Sequence, residues 1–288
     1  MKLDTDYPNY ILTLSCRDQR GIVAAVSQFL VNHDCNILDS AQFGDQATDR
    51  FFLRMEFVAE SGTALHDLGK AFESQVAQPF GMEWNLNDKA LRPRVLLMVS
   101  KFGHCLYDLL HRMHSGNLAV EVPAIISNHR DLEEIAQWYQ VPFHYLPMEE
   151  DKSAQEQQVL EVIENEGIDL VVLARYMQIL SGELCEALSG RAINIHHSFL
   201  PSFKGARPYH QAFERGVKII GATAHYVTSD LDEGPIIEQE VTRVDHSFKP
   251  QELTAAGRDI ESSVLARAVK YHIEHRVILN EHKTVVFR

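Results

Sequence analysis

Apolar and polar side chains alternate along residues 10–16, Tyr-Ile-Leu-Thr-Leu-Ser-Cys, with the period of a half-buried strand. After a polar turn, Ile22, Val23, Val26, Phe29 and Leu30 recur at three- and four-residue spacing, which predicts a helix. Residues 35–44 and 49–58 read as two further strands joined by Gly44-Asp45-Gln46-Ala47-Thr48. Residues 63–78 place Leu65, Leu68, Ala71, Phe72 and Val76 on one side of a second helix, and residues 81–86 close the set as a strand. The order βαββαβ predicts a ferredoxin-like unit over residues 1–86. Residues 87–93 are polar, end in Pro93 and predict a linker to a second domain over residues 94–288.

The pattern then changes character. Val95-Leu96-Leu97-Met98-Val99 is almost wholly apolar, as a parallel strand covered on both faces must be. Helical spacing over 104–115, a strand over 119–126, a helix over 132–139, a strand over 143–146 and a largely acidic helix over 153–166 follow. Residues 169–174 form another buried strand. Strands alternating with helices predict a doubly wound, Rossmann-like α/β domain with a mainly parallel sheet, whose ligands bind beyond the carboxyl ends of its strands. Residues 250–277 read as one long helix with Leu253, Ala256, Ile260, Val264, Ala268 and Tyr271 on one side, and residues 284–287 as a final strand.

At 288 residues, two domains are expected. A formal charge of −13 without a Lys/Arg run does not suit nucleic-acid binding. No apolar run approaches the ~20 residues of a membrane span, and the polar start Met1–Asp6 lacks a leader's apolar region, so a cytoplasmic setting is expected. Cys16, Cys35, Cys105 and Cys185 form no metal or disulfide pattern, and buried free thiols are expected. The 15 histidines do not cluster as ligands do; His196 and His197 would point opposite ways in an extended chain, and no metal is expected.

Candidate chemistry concentrates between residues 191 and 239. Asn194 and His196 end the apolar run Ala192-Ile193-Asn194-Ile195, and residues two apart in a strand share a face. Residues 221–227 read as a strand that carries His225, and an acidic turn, Thr228 to Pro235, contains Asp232. An amide donor, an imidazole and a carboxylate are the parts for attack on a carbonyl. Spacing alone favours turn chemistry at Asn194 and Asp232 over catalysis.

The residues Asn194, Ile195, His196, Ser198, Leu200, Pro201, Gly205, His225, Val227, Asp232, Gly234 and Pro235 resemble the core motif of the folate-dependent formyltransferases. The resemblance implies a formyltransferase-like domain with Asn194, His196 and Asp232 as catalytic residues. It implies that Met177, Gln178, Ile179, Leu180, Val227, Thr228 and Asp230 bind substrate, with the 177–180 segment around a pteridine. His225 would order the acidic turn. His197 stands where amine-using members carry proline, and the loop Ser100 to Cys105 holds one glycine and lacks their phosphate-binding pattern. Both departures point to the branch that uses water, hydrolysing 10-formyltetrahydrofolate to formate and tetrahydrofolate; transfer to an amine is the alternative. No cofactor is implied, folate being the substrate. A Leu200–Pro201 cis bond is a further expectation beside His196.

The first unit resembles the ACT regulatory domain, on Asp18-Gln19-Arg20-Gly21-Ile22-Val23 and Asn36-Ile37. That resemblance implies pairing through the sheets, hence a homo-oligomer, and an amino-acid effector, glycine or methionine, near Asp18, Arg20, Gly21 and Asn36. The other reading is that Arg20 is a solvated turn residue and the module only pairs.

Overall fold

The computed structural model describes residues 7–148, 152–200 and 208–288. Pro201, Gly205 and the Leu200–Pro201 bond lie outside the described residues, as do Met1–Asp6. Two compact units emerge: Met1–Arg92 with Glu274–Asn280 and Val285–Arg288, and Pro93–Ile273 with Glu281–Thr284.

The first unit is the expected βαββαβ arrangement: β1 (Asn9–Arg17), α1 (Ile22–Asn32), β2 (Cys35–Asp45), β3 (Arg50–Ala59), α2 (Leu65–Phe72), α3 (Gln78–Phe80) and β4 (Glu83–Asp88). Its antiparallel sheet has the order β2-β3-β1-β4. One face packs Tyr10, Leu12, Leu14, Leu53 and Met55 against Val26, Phe29, Leu68 and Phe72. Alternation along β1 predicts a wet second face, yet Ile11, Thr13 and Ser15 are buried too. Arg54 pairs across from Thr13 and so shares that face. Its guanidinium donates from Nε and Nη2 to the Glu274 carbonyl, at 3.3 and 3.2 Å. The end of the chain thus supplies part of the second cover.

The single helix expected over 63–78 is interrupted by a wide turn at Glu73–Ala77 between α2 and α3. The widening ends just ahead of Pro79, whose ring cannot sit against the carbonyl four residues back.

The second unit holds β5 (Arg94–Val99), α4 (His104–His114), β6 (Glu121–Ser127), α5 (Glu133–Trp138), β7 (Phe143–Tyr145), α6 (Lys152–Asn165), β8 (Leu170–Leu173), α7 (Gly182–Ala187), β9 (Ala192–His196), α8 (Pro208–Glu214), β10 (Ile219–Tyr226), β11 (Ile236–Arg243) and α9 (Pro250–Ile273). Its sheet has the order β11-β10-β9-β8-β5-β6-β7. β5 through β9 pair in parallel, and β9–β10 and β10–β11 pair antiparallel. Leu96, Met98, Ala124, Ile126, Val171 and Leu173 pack in its core. The chain steps from β5 outward to β7 and returns to the other side of β5 as β8, creating a switch point whose strand ends open a crevice.

β12 (Val277–Asn280) and β13 (Lys283–Val286) close the chain as a hairpin. α9 ends four residues earlier than its pattern predicts, and His275 turns the chain with a φ of 51°. Its buried side includes Leu253, Ile260, Val264 and Ala268 as expected, whereas Ala256 and Tyr271 are only partly buried and Gly257 and Glu261 are buried as well.

Candidate active site

The site begins with a cross-strand pair. Asn194 on β9 lies directly opposite His225 on β10, so the two side chains meet on one face, and His196 projects from that same face two residues on. Asn194 Nδ2 is 3.3 Å from His225 Nε2. His225 Nδ1 is 2.8 Å from the Tyr226 carbonyl, which can only accept, so Nδ1 carries the proton. Burial lowers the pKa of His225 and keeps the ring neutral, which leaves Nε2 as acceptor for one Asn194 N–H. The other N–H of that amide has no hydrogen-bond partner among the described residues and can serve a ligand oxygen.

The acidic turn brings Asp232 to the same place. Asp232 has a φ of 59°, in the left-handed region that Asp tolerates better than most residues. Thr228 Oγ1 and the Glu233 N–H both donate to the Asp230 carbonyl. Gly234 is required by contact: a Cβ there would stand 1.8 Å from the Tyr226 carbonyl oxygen. Asp232 Oδ1 consequently lies 3.2 Å from His196 Nδ1 and 3.8 Å from His225 Nε2. The hydrogen bond from His196 is the main cause holding the Asp232 carboxyl below its usual range. With Nδ1 committed to Asp232, His196 Nε2 is buried with no hydrogen-bond partner among the described residues.

These groups line a cavity of about 250 Å³. Every substrate-binding position expected from the sequence lines it: Met177, Gln178, Ile179, Leu180, Val227, Thr228 and Asp230. Asn194, His196, Asp232, His197 and His225 line it as well. Met177, Ile179 and Leu231 are large apolar side chains left more than half exposed, at 51, 63 and 57%. A cavity with such side chains and few convergent polar groups suits a flat, partly apolar ligand. Ser100 organises its β8 side: the Ser100 N–H donates to the Arg175 carbonyl, and Ser100 Oγ accepts from the Met177 N–H.

One expectation is overturned. The rings of His196 and His197 do not diverge; they stack at 4.8 Å with 19° between planes. β9 ends at His196, so the next residue is free of strand geometry. His197 Nδ1 accepts from Arg175 Nη1 at 2.7 Å. Burial, then the Arg175 charge, pushes His197 down to about 4. Arg175 Nε in turn lies 3.4 Å from Oε2 of the buried Glu261. That carboxylate also meets His104 Nε2 and accepts from the Tyr209 hydroxyl, both at 2.6 Å. Burial opposes the charge on Glu261, but the His104 hydrogen bond and Arg175 outweigh it and hold its pKa down. Arg175 itself has a φ of 68°, a conformation that costs a non-glycine residue roughly 1–2 kcal/mol. The chain pattern contains one signal for Arg175: it directly follows a buried parallel strand, where such sheets place functional groups. Glu261 hides within an otherwise apolar stripe of α9.

His104, Cys105 and Glu261 are the one grouping among the described residues with metal-ligand spacing. Glu261 is already satisfied there by two hydrogen bonds and the Arg175 cation, which opposes a metal ion. All four cysteines are buried and free, as expected.

The expected effector residues lie on the first unit. Asp18, Arg20 and Gly21 form the turn between β1 and α1, and Asn36 opens β2. Gly21 caps α1 with a φ of 95°, no side chain caps that helix, and its first turn holds no acidic residue. Arg20 and Asn36 are exposed.

The mainly parallel α/β sheet gathers amide, imidazole and carboxylate at its strand ends, and the family model described as formyl transferase matches residues 93–269, which places the chain in that class. A formyltetrahydrofolate deformylase of Corynebacterium sp. (strain P-1) is 52% identical over 97% of this chain and 98% of its own length. That of Bacillus subtilis (strain 168) is 50% identical over 96 and 93%. The crystal structure of the Burkholderia mallei formyltetrahydrofolate deformylase is 52% identical, superposes with a TM-score of 0.93, and covers 98% of this chain and 100% of that one. The chain belongs to the formyltetrahydrofolate deformylase family.

Proposed function

We propose that this protein hydrolyses 10-formyltetrahydrofolate to formate and tetrahydrofolate. The observation that carries the reading is the convergence of Asn194, His196 and Asp232 on one cavity, with Asp232 Oδ1 3.2 Å from His196 Nδ1. The reaction adds one water: its oxygen bonds to the formyl carbon, the bond from that carbon to N10 breaks, and N10 leaves with a proton.

The residues divide that work. Asp232, ionised and beside the cavity, orients water and accepts its proton as the oxygen attacks. Asn194 donates its remaining N–H to the developing oxyanion, a donor worth roughly 3 kcal/mol in comparable holes. His196, paired to Asp232 through Nδ1, presents Nε2 to the same oxygen when charged, or relays the proton. The apolar residues Met177, Ile179 and Leu180 grip the pteridine, and Gln178, Val227, Thr228 and Asp230 complete its pocket. No cofactor or metal takes part.

The reaction balances one-carbon folate pools and releases formate for purine synthesis. Cytoplasmic location fits four buried free thiols; no helix among the described residues is long and apolar enough to cross a membrane. The first unit is an ACT-like regulatory module that pairs into a dimer or tetramer. It takes glycine or methionine at the β1–α1 turn, where the uncapped start of α1 suits a carboxylate.

The test is incubation with 10-formyltetrahydrofolate, water being the sole acceptor, with formate measured with and without glycine and methionine. Formate release without an amine supports the hydrolase. Formyl transfer only when an amine is added would make the protein a transferase.

A further inference from the structure

Arg175 holds a left-handed backbone conformation in which glycine would be relaxed, and its side chain runs to His197, which lines the cavity, and to Glu261, which does not. Nε faces Glu261 Oε2 at 3.4 Å, an ion-pair contact in which Nε makes no hydrogen bond among the described residues, and Nη1 donates to His197 Nδ1 at 2.7 Å. A guanidinium only donates, so Nδ1 is the acceptor and the proton of the neutral ring sits on Nε2. That Nε2 is buried and has no hydrogen-bond partner among the described residues. The ring lies nearly parallel to that of His196 at 4.8 Å.

We propose that Arg175, anchored by Glu261, is a positioning residue for hydrolysis: it locks His197 as the neutral Nε2–H tautomer, an uncharged plate against which His196 is held for its partnership with Asp232. The inference rests on the roles given above to His196 and Asp232. It also accounts for a buried carboxylate in the core of α9. Glu261 is fixed by His104 from α4 and Tyr209 from α8, so the guanidinium has a rigid anchor. Gly257 permits this arrangement, since a Cβ there would lie 2.1 Å from the Tyr209 hydroxyl.

The charged groups around His197 come from four places: Arg175 after β8, His196 on β9, Asp232 in the acidic turn and Glu261 on α9. Burial, Arg175 and His196 oppose a second proton on His197, while Glu261 and Asp232 favour one. Removing Arg175 deletes a cation and leaves Glu261 without its counter-charge toward the ring. His197 then takes up a proton at a higher pH than in wild type, though burial still holds it below the ordinary histidine range, and a like charge faces His196 across the stack.

The experiment compares wild type, Arg175→Met and the double variant Arg175→Met/His197→Phe. Formate release from 10-formyltetrahydrofolate is followed from pH 8 to 5. Nitrogen NMR of the histidine rings is recorded on each protein without substrate. In wild type, His197 is expected as the Nε2–H form, without titration near neutrality. In Arg175→Met it should titrate above the wild-type value of about 4 but, with burial still acting, below ~6.5, and activity at about pH 5 should fall several-fold further, relative to pH 8, than in wild type. The double variant should lose that extra acidic limb. A wild-type His197 protonated on Nδ1 or titrating near neutrality overturns the proposal, as does an Arg175→Met profile parallel to wild type. If wild type releases no formate, the catalytic reading fails, while the NMR still judges the Arg175–His197 lock. If Arg175→Met does not fold, Arg175→Gln replaces it in both measurements.

Discussion

Asn194 Nδ2 and His225 Nε2 face each other at 3.3 Å across two antiparallel strands, and the far nitrogen of His225 is tied to the Tyr226 carbonyl. The imidazole therefore decides which way the carboxamide points. His225→Asn should leave Asn194 in place but unoriented. The loss of one hydrogen bond's orientation, about 1–1.5 kcal/mol, corresponds to about a tenfold fall in kcat with KM little changed. A KM rise at constant kcat would assign His225 to substrate binding instead.

Substitutions at Asp232 and His196 should separate chemistry from folding. Asp232→Asn and His196→Ala are each expected to lower formate release by about 10²–10⁴-fold, the range of general acid–base catalysis. Circular dichroism and thermal melts should stay close to wild type. Substantial hydrolysis by either variant would remove its residue from the mechanism.

Gly234→Ala tests the acidic turn without touching a reacting group. The added methyl would collide with the Tyr226 carbonyl at 1.8 Å, and backbone cannot yield as a flexible side chain would. We expect a destabilisation of about 2–4 kcal/mol together with loss of hydrolysis, since Asp232 is carried on the displaced turn. A melting temperature equal to wild type would contradict the packing described.

Stability should fall on mild acidification. Burial lowers the pKa of His197, His225 and His275 below the unfolded value of 6.5. Above pH 6.5 both states are neutral at these rings, and the native state keeps its full advantage. As pH drops, the unfolded chain binds protons that the native chain refuses, until the native pKa is reached, about 4 for His197. His197 alone accounts for at most roughly 3 kcal/mol across that window. Urea unfolding at pH 7.5, 6 and 5 checks this; an unfolding free energy that does not decline would refute it.

Periodicity made both sheets legible, because alternation in β1 and the unbroken apolar run of β5 each carry their own geometry. It failed where burial came from afar. Ile11, Thr13 and Ser15 look solvent-facing in a local window, but chain some 260 residues distant in sequence helps to cover their face. The short α7 escaped because six residues carry too little period; its one local mark is Ser181, whose Oγ accepts the Leu184 N–H. The edge strand β11 is half-exposed and reads as a polar run. At the site, strand logic correctly placed Asn194 and His196 on one face. The stack of His197 on His196 was beyond it, since strand alternation stops where β9 stops. Glu261 was invisible for a different reason: its partners His104, Tyr209 and Arg175 lie 157, 52 and 86 residues away in sequence.

The final hairpin has a practical corollary. Glu274–Asn280 and Val285–Arg288 group with the first ninety-odd residues, and Asn280 Nδ2 donates to Asp45 Oδ2 at 2.7 Å. A gene split after Arg92 would sever this loop of connectivity twice over. The amino-terminal piece would strand the Arg54 guanidinium without its carbonyl acceptor, and the carboxy-terminal piece would trail an orphaned ribbon. Circular permutation that places residues 274–288 ahead of the first ninety-odd, rather than a simple cut, is the way to obtain the first unit alone.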